Sequence, residues 1–283
     1  MWGLITGVLQ PMSGERDLDP SVAVYDRDLV PWLFEHWGEP MVDLVAPEPS
    51  SRIVDLACGS GLIVRHLLGR LDDSGTVHGV DFDSAMLAYA AARVEDHRAS
   101  WHESDASRLP FENSSVDRVS CHQGLQFFPD RLAALAEVRR VLEPGGRLAV
   151  ATWGRLEDNP WPAALSRAVG RLLGDDAGAG MTVVCDLGNP VEVDELLREA
   201  GFEAVRVDER AQTVSHRDVR AAAAGQLAAL PSGSAIDGLS REQHTELVEL
   251  MCRLLADHID TAGRLNVTST CNFACGVSPA RTK

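Results

Sequence analysis

Val54-Asp55-Leu56-Ala57-Cys58-Gly59-Ser60-Gly61 decides how this chain folds. An apolar run, Arg52-Ile53-Val54-Asp55-Leu56, enters the stretch, and Leu62-Ile63-Val64-Arg65-His66-Leu67-Leu68 leaves it with helical spacing. Strand, glycine turn and helix in that order predict a loop whose backbone a ligand can touch, because glycine has no Cβ to block the approach. A second short strand, Thr76-Val77-His78-Gly79-Val80, runs into Asp81. An acid at that strand tip is placed to bond both hydroxyls of a ribose. Together the two features point to a nucleoside cofactor.

The dinucleotide fingerprint requires a third glycine three positions after the second, and Val64 stands there. The Gly-Lys-Ser/Thr of a nucleotide P-loop is also missing. What remains is an acid, a small residue and Gly-x-Gly: Asp55, Ala57, Cys58, Gly59, Ser60 and Gly61. Further along come Asp81-Phe82-Asp83-Ser84-Ala85-Met86-Leu87 and Ser104-Asp105-Ala106, the latter ahead of Leu109-Pro110-Phe111. Next is Leu135-Ala136-Glu137-Val138-Arg139-Arg140-Val141-Leu142-Glu143-Pro144-Gly145-Gly146-Arg147-Leu148, a helix, a Pro-Gly-Gly turn and a strand.

This ordered series, across roughly residues 50–155, resembles the motifs of class I S-adenosylmethionine (SAM) dependent methyltransferases of the ubiquinone/menaquinone type. The resemblance implies an α/β, Rossmann-like, doubly wound sheet of seven mostly parallel strands. It also implies SAM as cofactor, with Asp81 on the ribose, Phe82 and Met86 walling the adenine, and Asp105 with Ala106 at the adenine amino group. Asp55, Ala57, Cys58, Gly59 and Gly61 would form the glycine loop that touches the cofactor, with Asp55 either orienting that loop or reaching the methionine amino group through water. Tyr25 and Gln123 complete the cofactor set implied by the resemblance.

Bulk properties bound the partners. The chain has 283 residues, enough for one large core with a small cap. A net charge of −16 argues against nucleic acid and against an anionic membrane surface. The six cysteines include no Cys-x-x-Cys pair, so buried free thiols and a reducing cytoplasm are expected. Cys271 and Cys275 have the spacing of one helix face. The apolar start, Met1 to Leu9, has no basic n-region and is too short to span a bilayer. Whether it pairs two subunits as a homodimer or stays in solvent is open.

The expected organisation is a flexible leader over 1–19, a helical lid over 20–48, a SAM-binding core over 49–155, and the rest of the sheet plus a helical substrate cap over 156–283. Within the core, five alternating strand–helix units are expected. Residues 160–175, 191–200, 217–229 and 240–260 read as helices, and 202–207 alternates as a strand. Helical spacing of Tyr25, Leu29, Trp32 and Leu33 leaves Tyr25 and Trp32 as either core anchors or pocket walls. The cap lies either before the last strand or after it.

Chemistry is expected at Ser120-Cys121-His122-Gln123-Gly124-Leu125-Gln126-Phe127-Phe128-Pro129-Asp130, beyond the fourth strand, where strand order reverses. Related enzymes often read Leu-His-His-Phe-x-Asp here; Gln126 and Phe127 replace both histidines. His122 is the catalytic base candidate, with a strand-end orienting role as its alternative, and His36 and His216 are fallbacks. Trp32, Phe127 and Trp153 are candidates for the substrate pocket. No acidic set at this strand end suits a metal, so metal-independent transfer is expected. The function implied is transfer of a methyl group to an O, N or C atom of a small, moderately apolar molecule in biosynthesis. The alternative is a protein of the same fold that cyclises, rearranges or merely binds its ligand.

Overall fold

The computed structural model describes residues 18–230, 236 and 238–280. Most of the leader expected over 1–19 lies outside the described residues. Asp19 lies inside and caps the first helix, accepting from Ser21 N at 2.8 Å.

The N-terminal segment is broken rather than one smooth helix. It comprises α1 (Pro20–Asp28), a π-helical turn (Val30–Phe34), a 3-10 turn (Glu35–Trp37) and α2 (Gly38–Val45). Pro31 has no N–H to continue the helical ladder, so the register changes there. The core then runs through β1 (Arg52–Leu56), α3 (Leu62–Leu68), β2 (Thr76–Asp81), α4 (Ser84–Arg93) and β3 (Ala99–Glu103). It continues with β4 (Val116–His122), α5 (Arg131–Val141) and β5 (Leu142–Trp153). After it come α6 (Pro160–Leu173), α7 (Asp175–Gly180), α8 (Pro190–Glu199), β6 (Glu203–His216), α9 (Val219–Ala228), α10 (Arg241–Leu254) and β7 (Leu265–Val277).

Seven strands form one sheet in the order β3-β2-β1-β4-β5-β7-β6, with β7 antiparallel to both neighbours. Both faces are covered, which the alternation along β5 makes plain. Ala149, Ala151 and Trp153 enter one core; Leu148 and Val150 enter the other. The first core packs α2, α3, α4, α6 and α10 through Met41, Leu67, Leu87, Ala168 and Met251. The second packs α5 and α8 through Leu135, Val138 and Leu197.

Three expectations change. The strand–helix alternation is interrupted, because no helix joins β3 to β4. That connection is held instead by α5: Arg140 donates to the carbonyls of Leu109 and Phe111, and Leu109 N donates to Glu137. Backbone groups that a helix would have satisfied internally are thus satisfied by side chains. Second, Cys271 and Cys275 sit on β7, not on a helix. Third, the strand expected over 202–207 runs to His216. Of the two places left open for the helical cap, it takes the one before the last strand, α9 and α10 lying between β6 and β7. All six cysteines are free.

One feature of the sheet positions the site. β7 pairs with β6 as far as Leu265 but with β5 only as far as Cys271. The β6–β7 ribbon therefore overshoots β5 and carries Val214, Val267, Thr268 and Ser269 to the carboxyl end of the sheet.

Candidate functional site

The glycine loop is held open from below. Ala57, Gly59 and Gly61 all have positive φ, at 56°, 52° and 83°. A Cβ on Gly59 would meet nothing within 4 Å, so its outer side faces free space. A Cβ on Gly61 would lie 3.1 Å from the Trp101 ring, and one on Gly79 only 2.5 Å from it. Trp101, 5% exposed on β3, is thus a prop under the loop.

Carboxylates tie the loop to the strand tips. Asp81 Oδ2 accepts from Gly59 N at 2.9 Å, and Oδ1 accepts from Asp83 N at 3.0 Å. Burial raises the Asp81 carboxyl above its ordinary value. Asp55 Oδ1 accepts from Ser120 Oγ at 2.7 Å, while Oδ2 is buried with no partner. Burial pushes the Asp55 carboxyl up to about 7, against the pull of Ser120 and with help from the Asp81 charge. Burial also pushes the Cys58 and Cys121 thiols up, Cys121 to about 12, which leaves both inert at neutral pH.

Asp81 ends β2, and Asp105 follows the neighbouring strand β3. Asp81 is in register with Glu103, and Ser104 N donates to Asp81 O at 2.9 Å, which brings Asp105 beside it. Asp105 is exposed and accepts from Ser107 N and Oγ, and these bonds hold its carboxyl below the ordinary range. Phe82 is 80% exposed, and Met86 is half-buried in the first turn of α4. Ala106 packs against the second core. Asp81, Phe82, Met86, Asp105 and Ala106 stand outside the walls of the cavity beside the glycine loop.

That cavity, about 510 Å³, lies between the strand tips and the helical segments. It brings together Tyr25, Asp55, Ala57, Cys58 and Gly59 with His122, Gln123, Phe127 and Trp153. Leu33, Phe34, Trp161, Leu165, Met181 and Val267 supply much of the apolar wall. Phe34 packs 5.6 Å from Tyr25 and 5.6 Å from Trp153, ring centre to ring centre. Gln123 has φ +59°, a conformation costly for a bulky residue, and its backbone N–H is tied to Ala151 O. His122 Nε2 is buried without a partner, and burial pushes the imidazole down to about 3, so the ring is neutral at neutral pH.

Several candidates lie elsewhere. Trp32 does not line the cavity: its Nε1 donates to Asp28 O at 2.8 Å, and its ring is edge-on to Trp161 and His216. It is a core anchor. His36 is exposed on the outer turn, and His216 is occupied by Trp32 and the Asp218 backbone. Neither fallback histidine is a cavity residue. Gln126 is buried and donates to Gln123 O, shaping the strand-end turn.

Sequence reading missed Asp26. This carboxylate, 8% exposed, accepts from Ser60 Oγ at 2.7 Å and from Tyr89 OH at 3.2 Å, fastening α1 to the glycine loop and to α4. The available signal was an acid adjoining Tyr25 on an otherwise inward helical face. Asn159, Trp161, Gln226 and Ser269 were also missed, and they carry no motif.

The raised carboxyl at Asp55 predicts a pH effect. Unfolded, Asp55 loses its proton near 3.8; folded, it keeps it to about 7. The folded chain therefore binds the extra proton within that window, and this contribution to stability falls as pH rises through it. The Asp55→Asn variant removes this loss, so its melting temperature gains on wild type between pH 4 and pH 7 and then holds the advantage. Thermal unfolding across that range checks it; a constant difference would show that Asp55 is already ionised at acid pH.

Among the described residues, no group of three or more His, Cys, Asp or Glu side chains is placed to hold a metal. No helix among them is long and apolar enough to cross a membrane.

Residues 53–146 match the family described as "Methyltransferase domain". The chain is 33% identical over 145 residues to a 2-phytyl-1,4-naphtoquinone methyltransferase of Trichormus variabilis, covering 48% of this chain and 63% of that protein. It is 36% identical over 120 residues to a chloroplastic 2-phytyl-1,4-beta-naphthoquinone methyltransferase of Arabidopsis thaliana, covering 40% and 46%. The chain thus spans less than two thirds of the length of these curated relatives. Among solved structures, a Haemonchus contortus phosphoethanolamine N-methyltransferase 2 aligns with a TM-score of 0.59 at 19% identity, covering 91% of this chain and 57% of that one. The fold is that of the class I methyltransferases, and the stretch matched by the methyltransferase-domain family, residues 53–146, is similar in sequence to quinone methyltransferases.

Proposed function

We propose that this chain is a SAM-dependent methyltransferase acting on an O, N or C atom of a small, largely apolar acceptor. The observation that carries this reading is the cavity itself, which runs from the open side of the glycine loop into an aromatic-walled compartment. The residues present fit the cofactor. Asp55, a cavity residue with one buried carboxyl oxygen unpartnered, suits an ammonium group reached directly or through water. Gly59 leaves room for a ligand against the backbone, and Asp81 stands at the β2 tip for a ribose. Asp105 would serve the adenine amino group. When bound, SAM supplies an electrophilic methyl on a sulfonium.

The chain's own task is then mainly alignment and exclusion of water. Phe34, Phe127, Trp153 and Trp161 wall the acceptor, and the segment over 20–48 acts as a lid through the Asp26 bonds. His122 lines the cavity as a neutral ring, and because burial disfavours its protonated form it serves to shape the strand end rather than as a general base. The relatives' names direct the first acceptor trials to fused-ring quinones and their reduced forms. Free thiols suit a reducing cytoplasm.

Incubation with methyl-labelled SAM and a panel of reduced 1,4-naphthoquinones tests the reading. Label appearing in an extractable product supports it. Conversion of acceptor without label, or no binding of S-adenosylhomocysteine, defeats it.

A further inference from the structure

The face of β2 and β3 turned away from Trp101 carries a polar cluster that methyl transfer does not use. The two strands run parallel, with His78 beside Ser100 and Val80 beside His102. Alternation therefore puts Thr76, His78, Ser100 and His102 on one face, and Gly79 with Trp101 on the other. A helix joining β3 to β4 would have covered the first face. In its place stands the Phe111 ring, 5.3 Å from the His78 ring and 5.1 Å from the His102 ring, centre to centre. All five side chains are only half-buried, so solvent reaches the cluster. None of them lines the cavity beside the glycine loop. The two imidazoles converge: Ser100 Oγ lies 2.7 Å from His78 Nδ1 and 3.1 Å from His102 Nε2. Thr76 Oγ1, 3.4 Å from His78 Nε2, steadies the far side of that ring. Burial pushes the His78 imidazole down to about 4 and holds His102 below its ordinary value, so both rings are neutral at neutral pH. Neutral imidazole nitrogens are ligands for zinc-like divalent cations. The cluster's hydrogen bonds involve hydroxyls and no carboxylate, which does not suit Mg²⁺ or Ca²⁺.

We propose that His78 Nδ1 and His102 Nε2 form a surface site for Zn²⁺, with Ser100 Oγ beside the ion and water filling the rest of its shell. Two nitrogens that already face one oxygen atom need only small side-chain rotations to reach about 2.0–2.1 Å from a common ion. The ring that now donates to Ser100 moves its proton to its other nitrogen, so each imidazole binds as the neutral form. The site's task is structural. β3 is an edge strand, held on one side only by β2, and the ion ties the two strands together on the face that lacks a helix. It is separate from methyl transfer, which stays independent of the metal.

Titration calorimetry of the full chain with ZnCl₂, and with MgCl₂ as control, tests this. His78→Ala and His102→Ala each lose one equivalent of Zn²⁺ relative to wild type, and Mg²⁺ gives no binding heat. Ser100→Ala keeps both nitrogens and weakens Zn²⁺ about tenfold. Thermal unfolding supplies a second readout: at a hundredfold excess over Kd, Zn²⁺ raises the wild-type melting temperature by about 5–10 °C and leaves that of His78→Ala unmoved. A third needs no variant: in NMR spectra of wild type, the His78 and His102 ring resonances are the first histidine signals to shift as Zn²⁺ is added. Equal Zn²⁺ uptake by wild type and both histidine variants, a wild-type melting temperature indifferent to Zn²⁺, or other histidines responding first overturns the proposal.

Discussion

Replacing Asp81 by alanine weakens SAM binding about a hundredfold. Two losses combine. A carboxylate on a ribose diol forms charge-assisted hydrogen bonds of about 1.5–3 kcal/mol, and about 1.4 kcal/mol is a factor of ten. The same carboxylate also holds Gly59 N and Asp83 N, so its removal frees the glycine loop proposed to carry the rest of the cofactor. Asp81→Asn separates the two effects. It keeps an acceptor for one loop N–H but loses the charge, so its loss is smaller, about tenfold. Titration calorimetry reads both variants. Unchanged affinity in Asp81→Ala would remove this residue from the site.

Replacing Trp101 by alanine lowers the melting temperature by about 10 °C. The indole is almost fully buried and fills the space that Gly61 and Gly79 leave bare. Truncating a buried tryptophan costs about 3–5 kcal/mol, and each kcal/mol shifts a chain of this size by about 2–4 °C. The prop lies directly under the loop, so cofactor affinity falls as well, although Trp101 is not among the residues that line the cavity. Circular dichroism through the thermal transition measures the first effect. A shift of only a degree or two would mean that the loop is supported from elsewhere.

These two residues differ in how readable they were. Asp81 ends a short alternating strand, and an acid at that place has a local meaning. Trp101 is one aromatic in an edge strand, and only the approach of two glycines from other elements gives it a task. β7 shows the same limit. Its burial is nearly continuous, because it is covered on both faces, so no alternation marks it as a strand. The spacing of Cys271 and Cys275 fits a helix face as well as a strand face. Trp32 was ambiguous for a related reason: helical spacing says that a side chain faces inward, not whether it meets a core or a cavity. The link from β3 to β4 misled because alternation predicts a helix wherever parallel strands are joined, whereas Arg140 and Glu137 satisfy this link from outside.

The sequence by itself determined the doubly wound sheet and the open glycine loop, since strand, glycine turn, helix and tip carboxylate are neighbours along the chain. Their spacing alone sets the backbone conformations that matter. Only the tertiary structure decided the cavity beyond the loop. Its walls come from Phe34, His122, Trp161, Val214 and Ser269, which long loops and an inserted pair of helices separate in the chain. Whether a hydroxyl among them is satisfied depends on which distant backbone comes within 3 Å, and no periodicity in the chain encodes that distance.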